Sequence, residues 1–272
     1  MTMTPDDHLA QVQASFDRAG DPRLAEIMRS AVAHLHAFVA EVGLTREEWF
    51  AGIDFLTRVG QMCDGQRQET ILLSDTLGVS MLVEMLNHAA APGTTEPTVF
   101  GPFHVDGAPE RPLGASIVEG DAGDGESLTM RGTVRDQDGH PVAGARLDVW
   151  QTSPNGLYDV QDPAQPPMNL RGVFTAGDDG AYRFRTVRPV AYPIPGDGPV
   201  GEMLRATGRH NWRPAHIHFL VTADRHKPVI THVFDGASRY LDDDAVFGVR
   251  ESLVIDMGGG EATFDPVLER VP

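Results

Sequence analysis

The spacing of apolar residues changes once along this chain, near residue 95, and that change governs what it can fold into. Before it, apolar side chains recur every three or four positions, the repeat of a helix face. After it, they alternate in short β-branched runs separated by Gly and Pro. One layer cannot serve both repeats, so the expected fold class is mixed: a helical N-terminal region over residues 1–95 and an all-β sandwich over residues 96–272. Asp21-Pro22, a cap residue followed by a proline suited to the first turn, opens a helix whose stripe is Leu24, Ile27, Met28, Ala31, Leu35, Phe38 and Val39. Thr45 with Glu48 forms a capping box ahead of Trp49, Phe50, Ile53, Phe55 and Leu56, and a third run extends from Glu69 to His88. Such broad apolar faces on so short a region predict packing against a second copy of the chain.

In the second part, Leu128–Arg135 and Ala145–Thr152 flank the turn Asp136-Gln-Asp-Gly139 and read as a hairpin or an adjacent pair of strands. Further strands are expected at Ala181–Val187, His216–Thr222, Val229–Phe234 and Ser252–Ile255.

Composition removes several function classes. The net charge of −17, with 22 Lys and Arg residues and no basic stripe among them, argues against nucleic acid as a partner. The single cysteine, Cys63, excludes an internal disulfide, and no apolar run is long enough to span a membrane, so the expected compartment is the cytoplasm.

Chemistry concentrates in Arg213-Pro-Ala-His216-Ile-His218-Phe-Leu-Val. At period two both imidazoles leave one face of a strand, where they can share a metal ion or simply stand on a half-exposed surface. Two of the four tyrosines, Tyr158 and Tyr192, lie in Gly- and Pro-rich loops, and loops over a rigid sandwich are where sites are built. Phenolates are ligands for hard Fe(III), and two of them with two imidazoles would suit it; taken singly, each tyrosine reads more readily as a loop plug, and only together with His216 and His218 does the metal reading prevail. A zinc site would require a third ligand at suitable spacing, and none is evident. His8, His34, His36, His88, His104, His140, His210 and His226 have no ligand partner by spacing.

These residues resemble a known family. Val149-Trp150-Gln leading to Tyr158, then Tyr192-Pro-Ile-Pro195, then Arg213 to His218, together with Thr98-Val-Phe-Gly-Pro-Phe103, are similar to the motifs of the intradiol ring-cleaving dioxygenases. Those are non-haem Fe(III) enzymes that split catechols between the two hydroxyl-bearing carbons, and the resemblance covers nearly the whole chain. It implies one Fe(III) per chain held by Tyr158, Tyr192, His216 and His218, with Tyr192 also acting as a base and Arg213 beside the substrate ring. The implied pocket comprises Leu72, Asp75, Phe100, Gly101, Pro102, Ile194, Pro195, Val246 and His232. Asp75 reads there as the acceptor for a third ring hydroxyl, or otherwise as a helix cap.

Val99 to Pro109, Tyr192 to Gly201 and Val229 to Phe234 resemble the hydroxyquinol branch most, and His232 stands where catechol enzymes tend to carry glutamine. Hydroxyquinol and O2 are thus the implied substrates and maleylacetate the end product. The alternatives are a catechol or chlorocatechol 1,2-dioxygenase forming cis,cis-muconate, and a non-enzymatic β-sandwich binding module. The resemblance also implies a homodimer through the N-terminal helices, an interface that holds a lipid in family members.

Overall fold

A computed structural model describes residues 3–65, 67–87, 91–120 and 124–271. The chain forms two compact units, Met1–Arg58 and Val59–Pro272. The first begins with α1 (Pro5–Ala14), where Thr4 and Asp7 exchange side-chain and backbone bonds in a capping box. In α2 (Pro22–Val42) the Asp21 carboxylate accepts the Arg23 N–H, as its sequence position predicts. The box at the start of α3 (Arg46–Gln61) also forms: Thr45 N–H donates to Glu48 at 2.9 Å and Glu48 N–H to the Thr45 hydroxyl at 3.2 Å. The apolar stripes of α2 and α3 leave Leu35, Phe38, Trp49, Phe50 and Leu56 exposed.

The run expected from Glu69 is two helices, α4 (Glu69–Thr76) and α5 (Val79–Asn87). Gly78, at φ +73°, turns the chain between them in a conformation that a side chain would oppose. The end of that run, His88, lies outside the described residues.

The strands are β1 (Ser127–Thr133), β2 (Arg135–Asp136), β3 (Arg146–Trp150), β4 (Arg171–Thr175), β5 (Ala181–Val187), β6 (Tyr192–Pro193), β7 (Trp212–Arg213), β8 (His216–Thr222), β9 (Val229–Asp235), β10 (Val254–Ile255), β11 (Glu261–Thr263) and β12 (Val267–Leu268). A helix absent from the sequence reading, α6 (Pro199–Ala206), separates β6 from β7. One sheet has the order β11-β1-β5 and the other β10-β9-β8-β3-β4. The expected pairing of β1 with β3 is therefore incorrect, because the chain crosses from one sheet to the other between them. Alternation shows that a strand has a buried face but not which strand lies beside it.

Between the sheets lie Leu147 and Val149 of β3, Phe174 of β4, Phe184 of β5, and Ile217, Phe219 and Val221 of β8. Phe184 stacks on Phe174 at 5.1 Å and meets Phe219 at 6.1 Å, which joins the two layers. Each such side chain contributes about 1.5–3 kcal/mol by leaving water. Because side chains alternate along β8, His216 and His218 point to the opposite face from this core, yet both remain buried. The rest of the unit covers that face, and the site lies beneath the cover.

Candidate metal centre

Strand register determines which side chains meet on the covered face. His218 of β8 stands opposite Trp150 of β3 and His232 of β9. The Trp150 ring stacks on His218 at 4.6 Å, while the His232 ring lies 4.2 Å from His218 and 4.6 Å from His216. Above the sheet, β6 pairs with β7 so that Tyr192 is the register partner of Arg213. Tyr158 comes from the loop after β3. Its N–H donates to the Gln161 side chain at 3.1 Å, and Phe103 stacks on its ring at 4.6 Å.

Four donor atoms converge. Tyr192 Oη lies 3.2 Å from Tyr158 Oη, which lies 2.9 Å from His218 Nε2, which lies 3.3 Å from His216 Nε2. His216 donates its Nδ1–H to the Pro214 carbonyl at 2.7 Å, so its Nε2 lone pair faces the others. Burial keeps both imidazoles well below the ordinary histidine range, reinforced at His216 by Arg213 and at His218 by His216. Both rings are therefore held neutral, the form in which an imidazole nitrogen can bind a metal.

Burial pushes the Tyr158 phenol well above its usual value, and Tyr192 raises it further. Tyr192 is also raised by burial, opposed there first by the Arg213 guanidinium. Two buried phenols facing two neutral imidazoles become anionic only beside a strong cation, and two phenolates with two imidazoles suit Fe(III). The donor set therefore fits a ferric ion.

Gly101, at φ +76°, passes directly over His218: a Cβ there would lie 3.3 Å from the imidazole Cε1. Arg213 is buried, with Nη1 3.3 Å from His216 Nε2. Burial alone would lower its pKa, but the adjacent Asp244 carboxylate, followed by the two phenols, raises it, so the cation is permanent.

The C-terminal part, residues 99–267, matches the dioxygenase family profile, and residues 21–95 match the catechol dioxygenase N-terminal profile. The chain belongs to the intradiol dioxygenase family. That family is iron-dependent. Hydroxyquinol 1,2-dioxygenase of Rhizobium sp. (strain MTP-10005) is 54% identical over 237 residues, 87% of this chain and 80% of that protein. The 6-chlorohydroxyquinol 1,2-dioxygenase of Cupriavidus pinatubonensis is also 54% identical, over 86% of this chain and 84% of its own length. The crystal structure of hydroxyquinol 1,2-dioxygenase from Pseudomonas putida DLL-E4 superposes with a TM-score of 0.92 at 48% identity, covering 98% of each chain.

In this dioxygenase the other sequence-predicted residues take distinct places. Leu72, Pro102 and Pro195 line one cavity of about 380 Å³, together with Phe103, Arg67 and Glu69. Phe100 packs on Trp150 at 5.9 Å, and the Ile194 N–H donates to Asn211 at 2.8 Å. Asp75 lies inside α4, not at its start, and its carboxyl meets the Ser80 hydroxyl while feeling the charges of Arg213 and Asp244. Burial raises its pKa above the ordinary carboxylate value.

Sequence reasoning overlooked Asp244. Asp244 ends the run Asp242-Asp243-Asp244, which reads as solvated charge, yet it is buried and its two oxygens also accept from the N–H groups of Val246 at 3.3 Å and Gly248 at 3.0 Å. No helix of the described residues is long and apolar enough to cross a membrane.

Proposed function

We propose that this dioxygenase opens hydroxyquinol (1,2,4-trihydroxybenzene) with O2 between adjacent hydroxyl-bearing carbons. The product is 3-hydroxy-cis,cis-muconate, which tautomerises to maleylacetate. The observation that carries the reading is the buried chain of Tyr192, Tyr158, His218 and His216 donor atoms at 3.2, 2.9 and 3.3 Å. Hydroxyquinol rather than catechol is chosen because the relatives at 54% identity carry hydroxyquinol and 6-chlorohydroxyquinol in their names.

Tyr158, Tyr192, His216 and His218 would hold one Fe(III) per chain. Bound there, the ion supplies a Lewis acid that acidifies the diol and couples the ring's electrons to O2. The chain's own residues do the rest. Tyr192 Oη accepts a proton from a substrate hydroxyl, and the neighbouring Arg213 holds that phenol closer to its ionised form than burial alone allows. Arg213 faces the ring as a fixed cation and stabilises the negative charge that develops on a ring carbon under attack. Leu72, Phe100, Gly101, Pro102, Ile194, Pro195, Val246 and His232 surround the ring and keep water out, and Asp75 accepts a hydrogen bond from the third hydroxyl.

We further propose that residues 96–272 form the Fe(III)-binding catalytic domain, to whose pocket α4 adds Leu72 and Asp75. Residues 1–95 serve a homodimer through the exposed stripes of α2 and α3, the interface in which a lipid would sit.

The test is a visible spectrum of the iron-loaded protein, with hydroxyquinol and catechol added anaerobically in parallel cuvettes, followed by admission of O2 and product analysis. A phenolate-to-iron band that moves to longer wavelength with hydroxyquinol, and maleylacetate as product, are expected. A colourless iron-loaded protein would remove Tyr158 and Tyr192 from the ligand set, and faster turnover of catechol would replace the substrate.

A further inference from the structure

Three imidazoles, not two, crowd this centre: the ligand atoms of His216, His218 and His232 all lie within 4.8 Å of one another. A third neutral imidazole so near a ferric ion would compete with the phenols for it, and what it does depends on which ring nitrogen carries the proton. The structure answers this through Thr98. Its hydroxyl lies 2.5 Å from His232 Nδ1, both residues are fully buried, and no other hydrogen-bond partner for that hydroxyl is found among the described residues.

If Nδ1–H donated to the hydroxyl, the hydroxyl hydrogen would be buried with no acceptor, at a cost comparable to a lost hydrogen bond. With the hydroxyl donating to Nδ1, Thr98 is satisfied and the ring proton resides on Nε2. That Nε2 has no hydrogen-bond partner among the described residues. An N–H there is a donor without an acceptor, buried beside the donor atoms of the site.

Building on the ring-cleavage reading above, we propose that Thr98 is a positioning residue that holds the proton on His232 Nε2, so that the third imidazole donates a hydrogen bond to an oxygen of the bound diol instead of ligating iron. Thr98 is itself fixed by its backbone, whose N–H donates to the Ile230 carbonyl at 2.9 Å, two residues before His232 on β9. A merely packing residue at this place would need only its shape, which valine supplies. The hydroxyl is what chooses the tautomer.

The experiment uses 15N-histidine-labelled protein loaded with diamagnetic Ga(III), with the His232 signals assigned by their absence in His232→Gln. Two-bond proton–nitrogen couplings then show which nitrogen carries the hydrogen. The wild type is expected to hold it on Nε2, Thr98→Ser to keep it there, and Thr98→Val to give a mixture. In parallel, Thr98→Val should lower kcat for hydroxyquinol about tenfold with KM changed less, and Thr98→Ser should stay within about twofold of wild type.

In the His232→Gln background, whose amide donates without help from Thr98, adding Thr98→Val should cost no further activity. Additive losses there would mean that Thr98 only packs. A wild-type His232 with a bare Nε2, or one shifted by bound metal, would overturn the proposal even if ring cleavage is confirmed. Absence of ring cleavage would defeat the reading it rests on while leaving the tautomer result to stand on its own.

Discussion

Asp244 holds Arg213 with both carboxylate oxygens: Oδ1 accepts from Nε at 3.1 Å and Oδ2 from Nη2 at 3.2 Å, and both side chains are buried. The pair fixes the guanidinium in one plane while Nη1 remains turned toward His216. Removing one partner of a buried pair leaves an uncompensated charge, so Asp244→Ala should destabilise the fold by about 3–5 kcal/mol. Loss of the guanidinium's aim should also lower kcat about a hundredfold. Asp244→Asn, which keeps the shape but not the charge, should fall between. Urea denaturation and steady-state turnover of the same preparations check both effects.

Gly101 offers a narrower test, because it passes over His218, a proposed iron ligand, without being one itself. Gly101→Ala places a side chain in left-handed backbone and presses it against His218 at 3.3 Å. The backbone strain should cost about 1–2 kcal/mol. Displacing the imidazole should weaken iron binding about tenfold, measured by competition with a chelator. Unchanged iron affinity would mean that the loop yields and His218 does not.

Acid should destabilise the metal-free protein through its buried histidines. Burial holds His216, His218 and His232 well below their ordinary range, so they are neutral when folded and take up protons only on unfolding. The unfolded chain binds more protons below pH ~6.5, so stability rises with pH up to there and falls as pH drops beneath it. Each ring contributes a slope of up to about 1.4 kcal/mol per pH unit. Calorimetry of the metal-free protein between pH ~5 and ~8 should show this fall, and His232→Gln should make it shallower by roughly one proton.

Asp75 bears on selectivity. Its carboxyl is buried beside Ser80 and within the field of Arg213. If it accepts from the third hydroxyl of hydroxyquinol, Asp75→Ala should reduce the kcat/KM ratio of hydroxyquinol to catechol by at least about tenfold, chiefly through loss of the better substrate. An equal loss on both diols would assign Asp75 to holding α4 and Ser80 alone.

Much of this was legible from residue order. The caps at Asp21 and Thr45 form as read, and β5 and β8 occupy Ala181–Val187 and His216–Thr222, because cap chemistry and side-chain alternation are local properties. The shared face of His216 and His218 follows from the same alternation. Other features could not be read this way. The β1–β3 pairing failed because register is a contact between distant segments. Asp244 was overlooked because three consecutive acids carry no mark of which one is buried.

The sequence by itself determined the succession of helices and then strands and the strand that carries both imidazoles, since these depend on residue type and local spacing. Tertiary structure alone decided that Tyr158 and Tyr192, 34 residues apart, meet at 3.2 Å, that Asp244 secures Arg213, and that Thr98 sits against His232 across 134 residues. Those contacts arise where separate strands and loops are pressed onto one covered sheet face, and only there is water excluded enough for a single hydroxyl or carboxylate to decide the state of its neighbour.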